Sequence, residues 1–199
     1  MEGAVTVEKL RRAIESYGVG IGQDIVKVDM FLNHRIDTGL LFEIGKNLAE
    51  ELRAEKPELI LTVESSGIAV AVAAAHELGD LPVIFAKKGR AVTNNGDMLE
   101  APVYSFTHKT QNIIRIDRKY LPEGARILII DDFLADGEAV RGLINICGQQ
   151  KAVVVGVGIA IEKGFQQGGK KLRDAGVHLK SLAIIDGIEN GRIILREEN

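Results

Sequence analysis

Cysteine is nearly absent from this chain of 199 residues. Cys147 stands alone, which excludes an intrachain disulfide and any metal centre built on cysteine. It shares helical spacing with Val140, Leu143 and Ile144, so it reads as a core residue rather than a nucleophile. The four histidines, His34, His76, His108 and His178, show no metal-ligand spacing. No Ser-His-acid set assembles by motif, and GxxxxGK[ST] is absent, which weakens a P-loop nucleotidase reading. No apolar run is long enough to span a bilayer and no signal-peptide pattern opens the chain, so a reducing, cytoplasmic setting away from membranes is expected. Basic residues are not in excess. Lys and Arg number 25 against 28 Asp and Glu, a net charge of -3, which argues against a nucleic-acid partner. There is no repeat or low-complexity segment.

What is present is alternation. Hydrophobic residues make up 46% and charged residues 27%, which suits one globular α/β-sized domain. Val7, Leu10, Ile14 and Tyr17 predict an amphipathic helix ended by Gly18, Gly20 and Gly22. Asp37 or Thr38 can cap a helix carrying Leu40, Leu41, Ile44, Leu48 and Leu52, with Pro57 beyond its end. Buried strands are expected at Leu59–Val63, Pro82–Ala86, Ile127–Ile130, Ala152–Ile161 and Val177–Ile185, with helices after most of them. Strands are also expected at Val103–Thr107 and Asn112–Ile116, with a polar, mobile loop over Ala91–Ala101 before them. Gly156 and Gly158 lie inside a strand and read as close packing. Asn190-Gly191 signals a hairpin before a last strand at Arg192–Leu195. The pattern predicts a mostly parallel central sheet flanked by helices on both faces.

The chemistry gathers around RILIIDDFLADGEAV, Arg126 to Val140. An apolar strand runs into Asp131 and Asp132, and Ala135-Asp136-Gly137-Glu138-Ala139 then opens a helix. Paired acids can accept hydrogen bonds from two adjacent sugar hydroxyls, and loop amides at a helix N-terminus can hold a phosphate. The plainer alternative is a strand ending in a capping or turn-forming Asp. Glu64-Ser65-Ser66-Gly67 forms a second strand-to-helix turn suited to a phosphate or pyrophosphate, or to an ordinary turn. Lys87 and Lys88 end the next strand on the same expected rim. Lys163 and Phe165 follow the strand at 152–161 and could offer a cation and a ring to a base, or be a surface Lys and a packing Phe. IVKVDMFLNH, Ile25 to His34, reads as an edge strand or packing segment, or as a lid in which Phe31 and Leu32 cover a flat ligand and Asn33 bonds it.

These segments carry a resemblance. RILIIDDFLADGEAV resembles the phosphoribosyl diphosphate (PRPP) motif of the type I phosphoribosyltransferases. VKVDMFLNH, TVESSGIA, VYSFT, LIIDDFLA and IEKGFQ, in that order, resemble the xanthine-using branch of that family through nearly the whole chain. The resemblance implies one domain over 1–199, with a core of about 37–163 and a small hood from about 1–36 and 164–199. It implies transfer of 5-phosphoribose from PRPP to N9 of xanthine, giving xanthosine monophosphate and pyrophosphate, by a homodimer with Mg²⁺ carried on PRPP. Family PRPP positions fall on Asp131, Asp132, Ala135, Asp136, Gly137, Glu138 and Ala139, and pyrophosphate positions on Glu64, Ser65, Ser66 and Gly67, with Lys87 or Lys88 alongside. Base positions fall on Val26, Asn33 and Lys163, with Phe165 as a neighbour. No covalent nucleophile is implied. Val26 stands where Leu is frequent, and Asp136 and Glu138 put acids in a loop that usually has a small polar residue and Gln there. The alternatives are the same reaction on guanine, hypoxanthine or adenine, and a PRPP-sensing transcription regulator on the same fold.

Overall fold

The computed structural model describes residues 8–89, 97–105 and 110–197, except the side chains of 105, 110 and 111. The chain opens with α1 (Glu8–Tyr17), whose Leu10 and Ile14 are buried. It continues through a small antiparallel hairpin, β1 (Val19–Ile21) and β2 (Ile25–Lys27), to a π-helical turn at Asp29–Asn33. Phe31 and Leu32 on that turn are 3% and 2% exposed and belong to the core, so the lid reading of these two side chains is corrected to packing.

Next come α2 (Thr38–Leu52), β3 (Leu59–Val63), α3 (Gly67–Glu77) and β4 (Val83–Lys88). Asp37 caps α2 by accepting a hydrogen bond from Leu40 N at 3.0 Å, as its residue type predicts. The antiparallel pair β5 (Met98–Ser105) and β6 (Thr110–Asp117) follows. The expected loop over 91–101 is therefore shorter at its C-terminal end. Met98 already pairs with Asp117, and Leu99 and Ala101 bury one face while Glu100 and Pro102 turn outward. Residues 91–96 of that loop lie outside the described residues, as do residues 106–109 between β5 and β6.

The second half reads β7 (Arg126–Leu134), α4 (Glu138–Gln149), β8 (Val153–Lys163), α5 (Gly168–Asp174), β9 (Leu179–Glu189) and β10 (Arg192–Leu195). Asn190 and Gly191 both take positive φ, 51° and 79°, the geometry of the tight turn their sequence signals. The main sheet has the order β10-β9-β8-β7-β3-β4-β6-β5. Its five central strands are parallel, and an antiparallel strand or pair closes each edge. Alternation on β7 decides the layering. Leu128 and Ile130 pack with α1, α2 and α3, while Ile127 and Ile129 pack with α4. The strand is thus buried on both faces, which is why its sequence is an unbroken apolar run. A Cβ on Gly158 would meet Leu48, Leu52 and Ile130, so the glycine lets α2 lie close on β8. Cys147 sits on α4 in the second layer, 1% exposed, and burial pushes its thiol up to about 12.

Candidate active site

The carboxyl ends of β7, β8 and β4 meet at a cavity of about 670 Å³. Residues 133–140, the end of β7 and its loop into α4, form one wall. Asp24, Ile25 and Val26 from the first hairpin, with Lys163 and Gln166 from the end of β8, form another, and Lys88, Val103, Tyr104 and Asn112 complete the rim. This position, beyond the carboxyl ends of parallel strands, is where open α/β sheets place ligands.

The loop after β7 turns on Gly137, which takes φ 80° at the start of α4. It is backed by a second segment. Gly168 N donates to Ala135 O at 3.1 Å, and a Cβ on Gly137 would come within 3.2 Å of Gly168 Cα. The two acids of the loop have cations beside them. Glu138 pairs with Arg141 one turn on, and Asp136 lies close enough to Lys163 to favour its charged form. The carboxylates therefore do not face the loop's phosphate-ready amides without compensation.

Asp131 and Asp132 are 5% and 9% exposed and immediately precede the cavity-lining run. Burial raises the Asp131 carboxyl well above the usual range, and the neighbouring Asp132 charge adds to that. Burial also raises Asp132, against hydrogen bonds that lower it. Asp132 N donates to Asp131 Oδ1 at 3.0 Å. The 64–67 turn abuts this pair. A Cβ on Gly67 would lie 2.5 Å from Asp131 Oδ1 and from Thr62 Oγ1, so only glycine lets the two loops approach. Glu64 Oε1 accepts from Lys88 N at 2.5 Å, tying the 64–67 turn to the end of β4, and the peptide between Glu64 and Ser65 is cis.

Lys163 Nζ donates to Asp24 O at 2.8 Å, which joins β8 to the first hairpin. Burial lowers the Lys163 ammonium, while Asp24 and Asp136 act against that shift. Next to it, Glu162 is 3% exposed and held by Arg173 Nη1 and Nη2 at 2.8 and 2.7 Å and by Ser181 Oγ at 2.5 Å. Burial alone would raise its carboxyl, but the Arg173 and Ser181 bonds outweigh this and hold it below the usual range.

Of the residues singled out from sequence, Val26, Lys88, Ala135, Asp136, Gly137, Glu138, Ala139 and Lys163 meet on the cavity wall. Asp131, Asp132 and the 64–67 turn adjoin it as described. Lys87 turns away, its Nζ 6.0 Å from the Phe85 ring, because alternate residues of β4 face opposite sides. Phe165 packs on the core margin, as Val26 does, and Asn33 is exposed on the π-helical turn; neither is among the lining residues. Sequence reasoning passed over Phe133, Tyr104, Asn112 and Gln166. Phe133 lay in plain view between the acids and the loop, but a strand taken to end at Ile130 gave its side chain no direction.

Fold and site together define a mostly parallel α/β domain with a glycine-turned loop between a strand and a helix and a buried acid pair before it. The phosphoribosyl transferase domain family matches residues 34–180, and the chain belongs to that family. It is similar to xanthine phosphoribosyltransferases from Oceanobacillus iheyensis, 45% identical over 96% of this chain and 98% of that one, and from Bacillus cytotoxicus, 50% identical over 92% and 93%. One from Lactococcus lactis subsp. cremoris is 48% identical over 93% of each chain. Among solved structures, adenine phosphoribosyltransferase from Giardia lamblia aligns with a TM-score of 0.72 at 17% identity, covering 88% of this chain and 96% of that one. Adenine phosphoribosyltransferase from Rhodothermus marinus gives 0.69 at 22% identity, over 89% and 97%. At these identities the solved structures speak for the fold.

Proposed function

We propose that this protein transfers 5-phosphoribose from PRPP to N9 of xanthine, forming xanthosine monophosphate and pyrophosphate in purine salvage. The observation that carries the reading is one cavity lined both by the glycine-turned 135–139 loop and by a half-buried lysine. Relatives at 45–50% identity over nearly the full chain, all named for xanthine, supply the base.

The reaction breaks the bond from ribose C1 to pyrophosphate and forms one from C1 to N9. Positive charge grows on the ribose as negative charge grows on the leaving group, so no nucleophilic side chain is required. The residues 135–139 would hold the 5-phosphate on backbone amides, with the N-terminus of α4 adding its dipole. Asp131 and Asp132 would accept hydrogen bonds from the ribose hydroxyls and fix the sugar for in-line attack. The 64–67 turn and Lys88 would receive pyrophosphate, with Lys87 contributing charge from outside the lining. Val26, Asn33, Lys163 and Phe165 would make up the base end. Asn33 and Phe165 fit as outer supports, since one is exposed and the other packs against the core.

Mg²⁺ enters this reading with PRPP. Two adjacent carboxylates fit a hard cation that takes its remaining oxygen ligands from substrate and water, and such an ion supplies charge neutralisation for the diphosphate. A cytoplasmic homodimer is the assembly we propose. Phe42 and Val72, 50% and 52% exposed on α2 and α3, offer apolar surface for it, and light scattering tests it.

The deciding experiment is nucleotide formation from PRPP and Mg²⁺ with xanthine, guanine, hypoxanthine and adenine in parallel. Preferential formation of xanthosine monophosphate is expected. Preference for another base would overturn the substrate and keep the reaction. No nucleotide from any base would overturn both.

A further inference from the structure

Gln166 has no part in the loop motif, yet it lines the cavity. Its backbone N–H donates to Lys163 O at 2.9 Å, closing the turn by which the chain leaves β8. That turn brings both residues to the cavity lining, which they share with Asp24, Val26 and the 135–139 loop. Gln166 Oε1 is buried and has no hydrogen-bond partner. Among the described residues, Thr62 Oγ1 and Arg115 Nε share that condition, and neither residue lines the cavity. A buried polar atom left unpaired is destabilising, so its persistence asks for a partner that arrives with a ligand. Turning the amide over would not help, since it would bury two N–H donors in place of one acceptor.

Lys163 complements it. The ammonium can only donate, and one of its protons is engaged by Asp24 O. A free donor and a free acceptor in one turn match the adjacent C=O and N–H of a lactam. Oxopurines carry that pair at C6 and N1. Adenine carries the reverse, an amino donor beside a ring-nitrogen acceptor, which would set donor against donor and acceptor against acceptor. We propose that Gln166 Oε1 accepts a hydrogen bond from a lactam N–H of the base, so that Lys163 and Gln166 together select oxopurines over aminopurines. The inference rests on the purine-transfer reading above. The free protein holds the unsatisfied acceptor, the matching base relieves it, and a mismatched base leaves it buried, which is the arrangement that gives large discrimination.

The test uses Gln166→Met, close in shape but lacking the acceptor, and Gln166→Glu, which keeps one. Melting temperature is measured for each. Steady-state kinetics follow for xanthine, hypoxanthine and adenine at saturating PRPP and Mg²⁺, and for PRPP at saturating base. Gln166→Met should melt at or above the wild type, because an orphaned polar atom is gone. Its KM for the two oxopurines should rise about tenfold or more, with KM for PRPP moving by less than about twofold. Its preference for hypoxanthine over adenine should narrow, and Gln166→Glu should recover part of the hypoxanthine KM. A Met variant with wild-type KM for the oxopurines overturns the proposal alone, as does one whose PRPP and base KM values rise in parallel with a fall in melting temperature. A wild type that uses no purine overturns the proposal and the reading it rests on.

Discussion

Asp131 and Asp132 put two carboxyl groups side by side in a buried place, an arrangement no folding requirement explains. Burial and, for Asp131, the neighbouring charge hold both above their ordinary values. A carboxyl whose folded value is raised is most stabilising when protonated. Its contribution is present below the ordinary carboxylate range and is lost as pH climbs through the raised values. At neutral pH the pair therefore strains the free protein, and Asp131→Asn should relieve it. The variant keeps an oxygen to accept from Asp132 N, so it should melt above the wild type at pH 7, with the gap closing toward about pH 4. The same change removes a charged acceptor for a ribose hydroxyl, and KM for PRPP should rise roughly tenfold or more. Melting curves from pH 4 to 8 and PRPP titrations check both halves. A variant that melts lower at pH 7 would mean that the carboxylate supports the fold rather than the ligand.

Elements differ in how openly the sequence displays them. β3 was readable to the residue because a fully buried run, four apolar side chains and Thr62, ends at a polar turn. β7 was readable only to Ile130, since its last residues are held by a ladder to β8 that pairs Asp131 with Ile159 and Phe133 with Ile161. A partner strand far along the chain leaves no local signal, and Phe133 was missed with it. The start of β5 did leave one. Leu99, Ala101 and Val103 alternate with polar or turn residues, but Asn94, Asn95 and Gly96 just before them drew the loop reading onward. Pro102 is compatible with β5 because that strand lies at the edge of the sheet. The glycine-turned loop at 135–139 was legible because its residues are consecutive. Its support was not, because α5 is reached only across the intervening chain of residues 140–167. Yet α5 is fixed to the site twice, by Gly168 on Ala135 and by Arg173 on the buried Glu162. Arg173→Met should strand that carboxylate. Allowing for the 40% exposure of the Arg173 side chain, the loss should be about 2 kcal/mol, a drop of roughly 4–8 °C in Tm. Glu162 is held low in the wild type, so its contribution is present above the ordinary glutamate range and lost as pH falls below it. The deficit of Arg173→Met should therefore shrink in acid, and thermal melts at pH 7 and pH 4 read that difference.

Across the whole molecule the first hairpin and the last strands meet beside the part of the cavity lined by Asp24, Val26 and Lys163. The hairpin that carries Asp24 and Val26 precedes the residues matched to the family, and it rests on the last strands of the chain. Gly20 N donates to Gly191 O at 3.1 Å, Arg11 Nη1 donates to Arg196 O at 3.1 Å, and a Cβ on Gly18 would meet Ile193 Cδ1 at 2.7 Å. β9 and β10 are at the same time continuous with the main sheet through β8. We propose that the hood of 1–36 and 164–199 is one such unit, in which the C-terminal hairpin sets where the N-terminal one stands. The proposed phosphate end, built from β7, α4 and the 64–67 turn, takes no part in these three contacts. Gly20→Val tests the division, because a side chain there would run into Ile188 and force β1 away from β9 and β10. Lys163 would keep its strand and lose its place on Asp24 O, so the base end should loosen while the loop at 135–139 stays put. KM for xanthine should rise roughly tenfold or more, as small displacements of positioning groups do, with KM for PRPP nearly unchanged. If both constants rise together, the hairpin supports the entire site and the molecule has no separable base end.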